Sequence, residues 1–194
     1  MADVTFFFDP ACPWTWRASR WLVGVAEARG LDIEWRACSL AMLNEGSDTE
    51  DEHAAVFGAS TRALRLVEAL RADGRQDDIG RFYTALGDLA HEGGAHLDDE
   101  VVAHAVRSAG LADYAGALDD ASLDSAVRAS TDTAMAAAGP GVGSPVLTLP
   151  GAERGVHGPV LLAVPEEKDG LALWEAVSVL VPLEPFAEIK RGRS

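Results

Sequence analysis

Phe6-Phe7-Phe8-Asp9-Pro10-Ala11-Cys12-Pro13-Trp14-Thr15-Trp16 is the stretch whose reading decides the fold. The apolar run Val4 to Phe8 reads as a buried strand, within residues 3–8. Asp9-Pro10 stops it, because proline has no N–H to give a central ladder. Pro13 suits a first helical turn, and an amphipathic pattern then continues to about Arg29. Cys12 therefore stands where a buried strand hands over to a helix N-terminus. Unpaired N–H groups and the positive end of the helix dipole favour a thiolate at such a place, and the thiolate is the reactive form.

Working outward, Gly30 is a natural residue to end that helix. Leu31 to Cys38 reads as a second strand, with Ile33, Trp35 and Ala37 alternating against Asp32, Glu34 and Arg36. One helix between two strands makes a βαβ unit, so the strands are expected to be parallel. Ser39 to Asn44 leaves the strand, and residues 46–53 form a charged surface segment. Helical periodicity follows over 54–73, 77–90, 98–109, 112–119 and 122–138, with no strand signal between. Strands return at Val146 to Leu149 and Val160 to Val164. A last helix runs from Lys168 to Leu180, and residues 190–194 read as a loose surface end. The expected class is α/β, a thioredoxin-type mixed sheet with a large helical insertion. Residues 1–44 and 141–194 are its two halves, and 45–140 is the insertion.

Composition narrows the function. The chain has 194 residues, 48% of them apolar, enough for a full core. Acidic residues outnumber basic ones 31 to 16, for a formal charge of -15. That balance argues against nucleic acid or an anionic membrane surface as a partner. Two cysteines, Cys12 and Cys38, are too few for a disulfide-stapled secreted domain. The N-terminus lacks the basic region and long apolar run of a signal peptide. No stretch reaches the length of a membrane span. A reducing, cytoplasmic protein is expected.

Asp9-Pro10-Ala11-Cys12-Pro13-Trp14 resembles the active-site opening of the DsbA-like branch of the thioredoxin superfamily, which carries a helical insertion in the same place. Gly143-Ser144-Pro145 resembles that branch's segment bearing a cis-proline opposite the cysteine. Several stretches are similar to the actinobacterial mycothiol-dependent nitroreductase group: Ser39 to Asn44, Tyr83 to Gly87 with His91 beyond, Leu97 to Val101, Gly158 to Leu161, and Leu173 to Ala176. Together they span nearly the whole chain. Many relatives have Cys-Pro-Trp-Cys, and here the fourth position is Thr15. The usual intramolecular dithiol cycle therefore has no second sulfur in the motif.

The resemblance implies a low-molecular-weight thiol, mycothiol or glutathione, as cosubstrate, with no tightly bound cofactor. Cys12 is the expected nucleophile, and an external thiol would release what it captures. The Thr15 hydroxyl is placed either to bond the Cys12 thiolate or to cap a backbone group. Pro145 is expected to be cis by resemblance, which would let the Ser144 backbone pair with a bound peptide or thiol. Pro13, Trp14 and Trp16 flank the cysteine. One tryptophan is expected to floor an apolar site and the other to be core, with Trp14 favoured as the exposed one. Asp9 is either a buried carboxylate tuning the cysteine or only the strand's terminator. His91 lines the cleft or makes a surface or interdomain hydrogen bond. Cys38 is a small buried hydrophobe or a partner of Cys12. The five histidines show no zinc spacing, and Gly139 to Gly143 lacks the residues of a phosphate loop.

Three functions are open at this level. The first is a monothiol oxidoreductase that reduces a disulfide, one on a protein included, or a small electrophile. The second is a thiol-dependent isomerase or transferase of the kappa-class or hydroxychromene-carboxylate isomerase type. The third is a noncatalytic cleft. The sequence leaves the oligomeric state open.

Overall fold

Strand β1 (Val4–Phe8) forms where the apolar run predicts it, and it is the strand on which the sheet is built. The computed structural model describes residues 2–47 and 53–192. On one side β1 pairs in parallel with β2 (Ile33–Ala37), Phe6 opposite Trp35. On the other it pairs antiparallel with β3 (Val146–Thr148), Phe6 opposite Leu147. β4 (Val156–His157) adds antiparallel to β3, giving the order β2-β1-β3-β4. A parallel first half and a hairpin second half make the thioredoxin arrangement.

The crossover from β1 to β2 is α1 (Pro13–Arg29). Proline at its start costs no hydrogen bond, because the first-turn N–H groups have no intrahelical acceptor. Gly30 ends it in the left-handed conformation at φ 68°, its N–H donating to the Ala26 carbonyl. A short helix α2 (Leu40–Leu43) follows β2, its start capped by the Ser39 hydroxyl. The helices then run α3 (Ala54–Ala72), α4 (Gln76–Gly87), α5 (Asp99–Ser108) and α6 (Asp124–Ala138), and α7 (Glu167–Leu180) closes the order. No helix among the described residues is long and apolar enough to cross a membrane.

The helical stretch shares the sheet's core. Phe6, Phe8, Trp16, Ala63, Leu66, Phe82 and Tyr83 belong to one buried cluster. Phe8 stacks on Tyr83 at 4.1 Å between centroids, and Trp16 meets Tyr83 edge-on at 5.5 Å. The helices also cover the outer edge of β2, which would otherwise present unpaired backbone. Trp35 N–H donates to Gln76 Oε1 at 2.8 Å, and Ser130 Oγ donates to the Ala37 carbonyl at 2.8 Å.

Two expectations change. The strand expected over Val160 to Val164 is absent, and Leu162 and Val164 are 52% and 44% exposed. The fourth strand lies earlier, where Val156 pairs with Leu147. Gly158, at φ 109°, turns the chain out of the ladder, and Pro159 has no N–H to resume it. The helix expected over 77–90 is α-helical only to Gly87 and continues as a π turn, Asp88–Glu92. The short helix expected over 112–119 is present, in the 3₁₀ form. The charged segment at 46–53 lies mostly outside the described residues.

At the change from α4 to the π turn, Gly87 meets Trp16, and a Cβ there would overlap the indole ring. Trp16 is 1% exposed and has nowhere to go. Gly87→Ala is expected to cost about 1–3 kcal/mol or more in urea unfolding. Gly116→Ala, whose Cβ meets nothing within 4 Å, is expected to stay within about 0.5 kcal/mol of the parent.

Candidate active site

The end of β1 is tied by a buried carboxylate. Asp9 is fully buried, and it accepts from Ala11 N–H at 2.7 Å, Leu40 N–H at 2.6 Å and the Ser60 hydroxyl. Burial pushes its carboxyl above the usual range, against the pull of these three bonds. Its own N–H donates to Ser144 Oγ at 3.0 Å. One residue thus joins the Cys12 loop, the start of α2, the body of α3 and the segment before β3.

Cys12 is the N-cap residue of α1, extended at φ -91° and ψ 112°, and is 7% exposed. Its thiol points at the Ser144 carbonyl, 3.7 Å away. The Ser144–Pro145 bond is cis. The first turn of α1 carries no acidic residue to offset the helix's positive end. Thr15 is buried, and its hydroxyl lies 2.9 Å from Ser144 Oγ. Its partner is therefore neither the Cys12 sulfur nor a backbone group, the two partners expected of it. Ser144 gathers three contacts: Asp9 N–H and the Thr15 hydroxyl at its side chain, the Cys12 thiol at its carbonyl.

The tryptophans divide. Trp16 lies in the core with its indole N–H on Glu92 Oε1 at 2.8 Å, so it offers no face to a ligand. Trp14 is half-buried, with the Arg17 guanidinium 5.0 Å from its ring centroid. Pro13 is exposed beside it. His91, on the π turn, stacks on Trp16 and places Nε2 2.8 Å from the Pro10 carbonyl. Burial lowers the His91 pKa below its ordinary value, against the opposing pull of that carbonyl. Cys38 is buried at the end of β2 among Phe7, Ala134 and Val146, and burial pushes its thiol up to about 12. Both cysteines are free. His157 Nδ1 lies within reach of the Gly143 and Pro145 carbonyls, at 3.0 and 3.1 Å. No group of three or more His, Cys, Asp or Glu among the described residues could hold a metal ion.

Sequence reasoning passed over Ser60, Glu92 and Arg17. Ser60 and Glu92 carry no local signal, because their partners lie 51 and 76 residues away. Arg17, three residues after Trp14 on one helix, was within reach of a spacing argument. Two surface grooves, about 450 Å³ beside α1 and α7 and about 570 Å³ beside α5, are lined by residues that do not include Cys12.

Residues 11–191 match the family model described as Rv2466c-like, mycothiol-dependent nitroreductase Rv2466c. The chain is 32% identical over 201 residues to the uncharacterized protein Rv2286c of Mycobacterium tuberculosis (strain ATCC 25618 / H37Rv), covering all of this chain and 84% of that one. Among solved structures it is similar to a 2-hydroxychromene-2-carboxylate isomerase, with a TM-score of 0.61 and 17% identity over 91% of this chain and 95% of that one. It is also similar to the cytosolic disulfide reductase DsbM from Pseudomonas aeruginosa with GSH, with a TM-score of 0.55 and 19% identity over 91% and 99%. At these identities the structures speak for the DsbA-like thioredoxin fold.

The His91 contact has a pH signature. A histidine whose folded pKa lies below its unfolded value of about 6.5 contributes stability above that value and loses it as the pH falls through the folded pKa. Urea midpoints measured from pH 7.5 to 5 are expected to fall, and His91→Gln is expected to fall less over the same range.

Proposed function

The chain belongs to the Rv2466c-like family of mycothiol-dependent nitroreductases, and from that premise we propose that it is a thiol-dependent reductase working through one sulfur. The observation that carries this reading is the pairing at the motif's two ends. Cys12 sits at the start of α1 against the Ser144 carbonyl, and Thr15 has its hydroxyl committed to Ser144 Oγ. A thiol at the start of the helix and a hydroxyl, engaged elsewhere, at the fourth position of the motif support a one-sulfur reading.

The reaction balances with an external thiol. The Cys12 thiolate attacks one sulfur of a disulfide; a new S–S bond to Cys12 forms, the substrate S–S bond breaks, and the other half leaves as a thiolate. A low-molecular-weight thiolate then attacks that mixed disulfide, forming a new small disulfide and freeing Cys12. With a small electrophile in place of the disulfide, two thiols supply two electrons and end as one disulfide. Mycothiol is the thiol favoured by the family, with glutathione the counterpart where mycothiol is absent. Once Cys12 loses its proton the Ser144 carbonyl can no longer accept from it, and the sulfur turns to the N–H groups at the start of α1. A cytoplasmic, reducing location fits both the thiol supply and the free thiols. The formal charge of -15 disfavours nucleic acid as a partner.

Thiol-dependent isomerisation is the second reading, favoured by the same engaged hydroxyl at Thr15. It consumes no thiol. A chain whose cleft has lost its chemistry would show neither behaviour.

The deciding assay is reduction of bis(2-hydroxyethyl) disulfide by mycothiol or glutathione, followed as disulfide formed from the small thiol. Activity lost at least a hundredfold in Cys12→Ser and kept in Cys38→Ala is the expected result. Activity indifferent to Cys12→Ser overturns the reading. Turnover of a substrate without thiol consumption moves it to the isomerase class. Thr15→Cys is expected to let Cys12 form an internal disulfide with the introduced thiol on oxidation, seen as a loss of two hydrogens by mass spectrometry. The same variant is expected to lower the dependence of the rate on the external thiol's concentration.

A further inference from the structure

The helix that begins at Cys12 carries a cation that the carboxylates of the described residues leave unpaired. Seven arginines hold acidic side chains among the described residues, as Arg29 holds Glu175 and Arg65 holds Asp124. Arg17 forms no ion pair among those residues. It lies five residues beyond Cys12 on the same helix, its guanidinium carbon 5.0 Å from the centroid of the Trp14 ring. Its charge also reaches His91, where it opposes protonation alongside the larger effect of burial. His91 in turn is fixed to the Pro10 carbonyl. The guanidinium is thus bracketed by Trp14, two residues after the cysteine, and by the contact that holds the loop two residues before it.

An arginine stacked on an indole keeps its in-plane N–H groups at the edge, where they meet a carboxylate or sulfonate as a fork. A permanent cation at the mouth of a site reverses locally what a net charge of -15 imposes from afar. On the other flank of Cys12 stands the backbone of Ser144 and Pro145, along which an incoming thiol can align. We propose that Arg17 determines specificity, and that the molecule attacked by Cys12 carries an anionic group, a carboxylate or sulfonate, on the side facing α1. This rests on the reading of Cys12 as a nucleophile and adds the class of electrophile it takes.

The test uses three methanethiosulfonates that differ only in the tail: anionic 2-sulfonatoethyl, neutral methyl and cationic 2-trimethylammonioethyl. In each, the Cys12 thiolate forms an S–S bond with the tail-bearing sulfur, the S–SO₂ bond breaks, methanesulfinate leaves, and the thiol's proton goes to buffer. Rates on the full chain with Cys38→Ala are measured by intact-mass spectrometry and divided by those for a small free thiol. The expected anionic-to-neutral ratio drops by up to about fivefold in Arg17→Gln, the upper end of the range of one exposed charge pair. It drops further in Arg17→Glu and is kept in Arg17→Lys. The difference shrinks at 1 M salt, where the screening length is about 3 Å. Equal ratios in the parent and Arg17→Gln overturn the inference while leaving the nucleophile in place; Arg17 is then only a lid on Trp14. If none of the three reagents labels Cys12 in the folded chain but all label it in urea, the reading of Cys12 as a nucleophile falls, and this inference falls with it.

Discussion

A carboxylate with no exposure to water is the constraint on which this structure turns. Burying an ionisable acid costs several kcal/mol unless donors replace the lost water. Asp9 has three donors, and they come from Ala11, Leu40 and Ser60. Each belongs to a different element, and the Asp9 N–H recruits a fourth by holding Ser144 Oγ. None of these contacts can be released alone, because removing one donor leaves the others on an under-satisfied acid. The cysteine loop, the start of the helical stretch and the cis-proline segment are therefore set relative to one another by a single residue at a strand end.

That arrangement ties helix and sheet together around the cysteine. The helical stretch reaches back to α1 twice more. Glu92 takes the Trp16 indole N–H and His91 takes the Pro10 carbonyl. Both come from the π turn, a distortion that adds a residue to the turn and shifts the faces presented downstream. Gly87 lets α4 approach close enough for this to happen, since any side chain there would meet the Trp16 ring. The aromatic stack of Phe8, Tyr83 and Trp16 fills the space beneath. The cysteine sits on a floor assembled from both parts.

The elements that could be read from the sequence are those whose causes are local. β1 and α1 meet at Pro10 to Pro13 because proline chemistry acts on its immediate neighbours, and Gly30 ends α1 for an equally local reason. Apolar content misled at Val160 to Val164, because a strand needs a ladder partner and not only greasy side chains. The π turn was invisible, since its periodicity differs from that of an α-helix by one residue over a single turn. In the site, the position of Cys12 was legible and the partner of Thr15 was not. Ser144 lies 129 residues from Thr15, and nothing in either neighbourhood advertises the other. A side-chain hydroxyl bonds whatever the fold brings within about 3 Å, so its partner is a property of the tertiary structure.

The hydroxyl at position 15 shapes the site through the partner it takes. In a dithiol motif the fourth residue competes for the first cysteine's proton and, on oxidation, for its sulfur. Here the Thr15 hydroxyl is turned away, into Ser144 Oγ, which also accepts from Asp9 N–H. A hydroxyl has one proton and two lone pairs. One proton joins Thr15 to Ser144 and one lone pair of Ser144 Oγ takes the Asp9 N–H, so the threonine braces the cis-proline segment against α1. The segment that holds Cys12 through the Ser144 carbonyl is thereby held by the residue three positions after Cys12. Valine has nearly the shape of threonine, but at position 15 it would leave the Ser144 hydroxyl with one partner fewer. The polar group at position 15 is matched to Ser144, and the matched pair fixes the cis-proline segment relative to the start of α1.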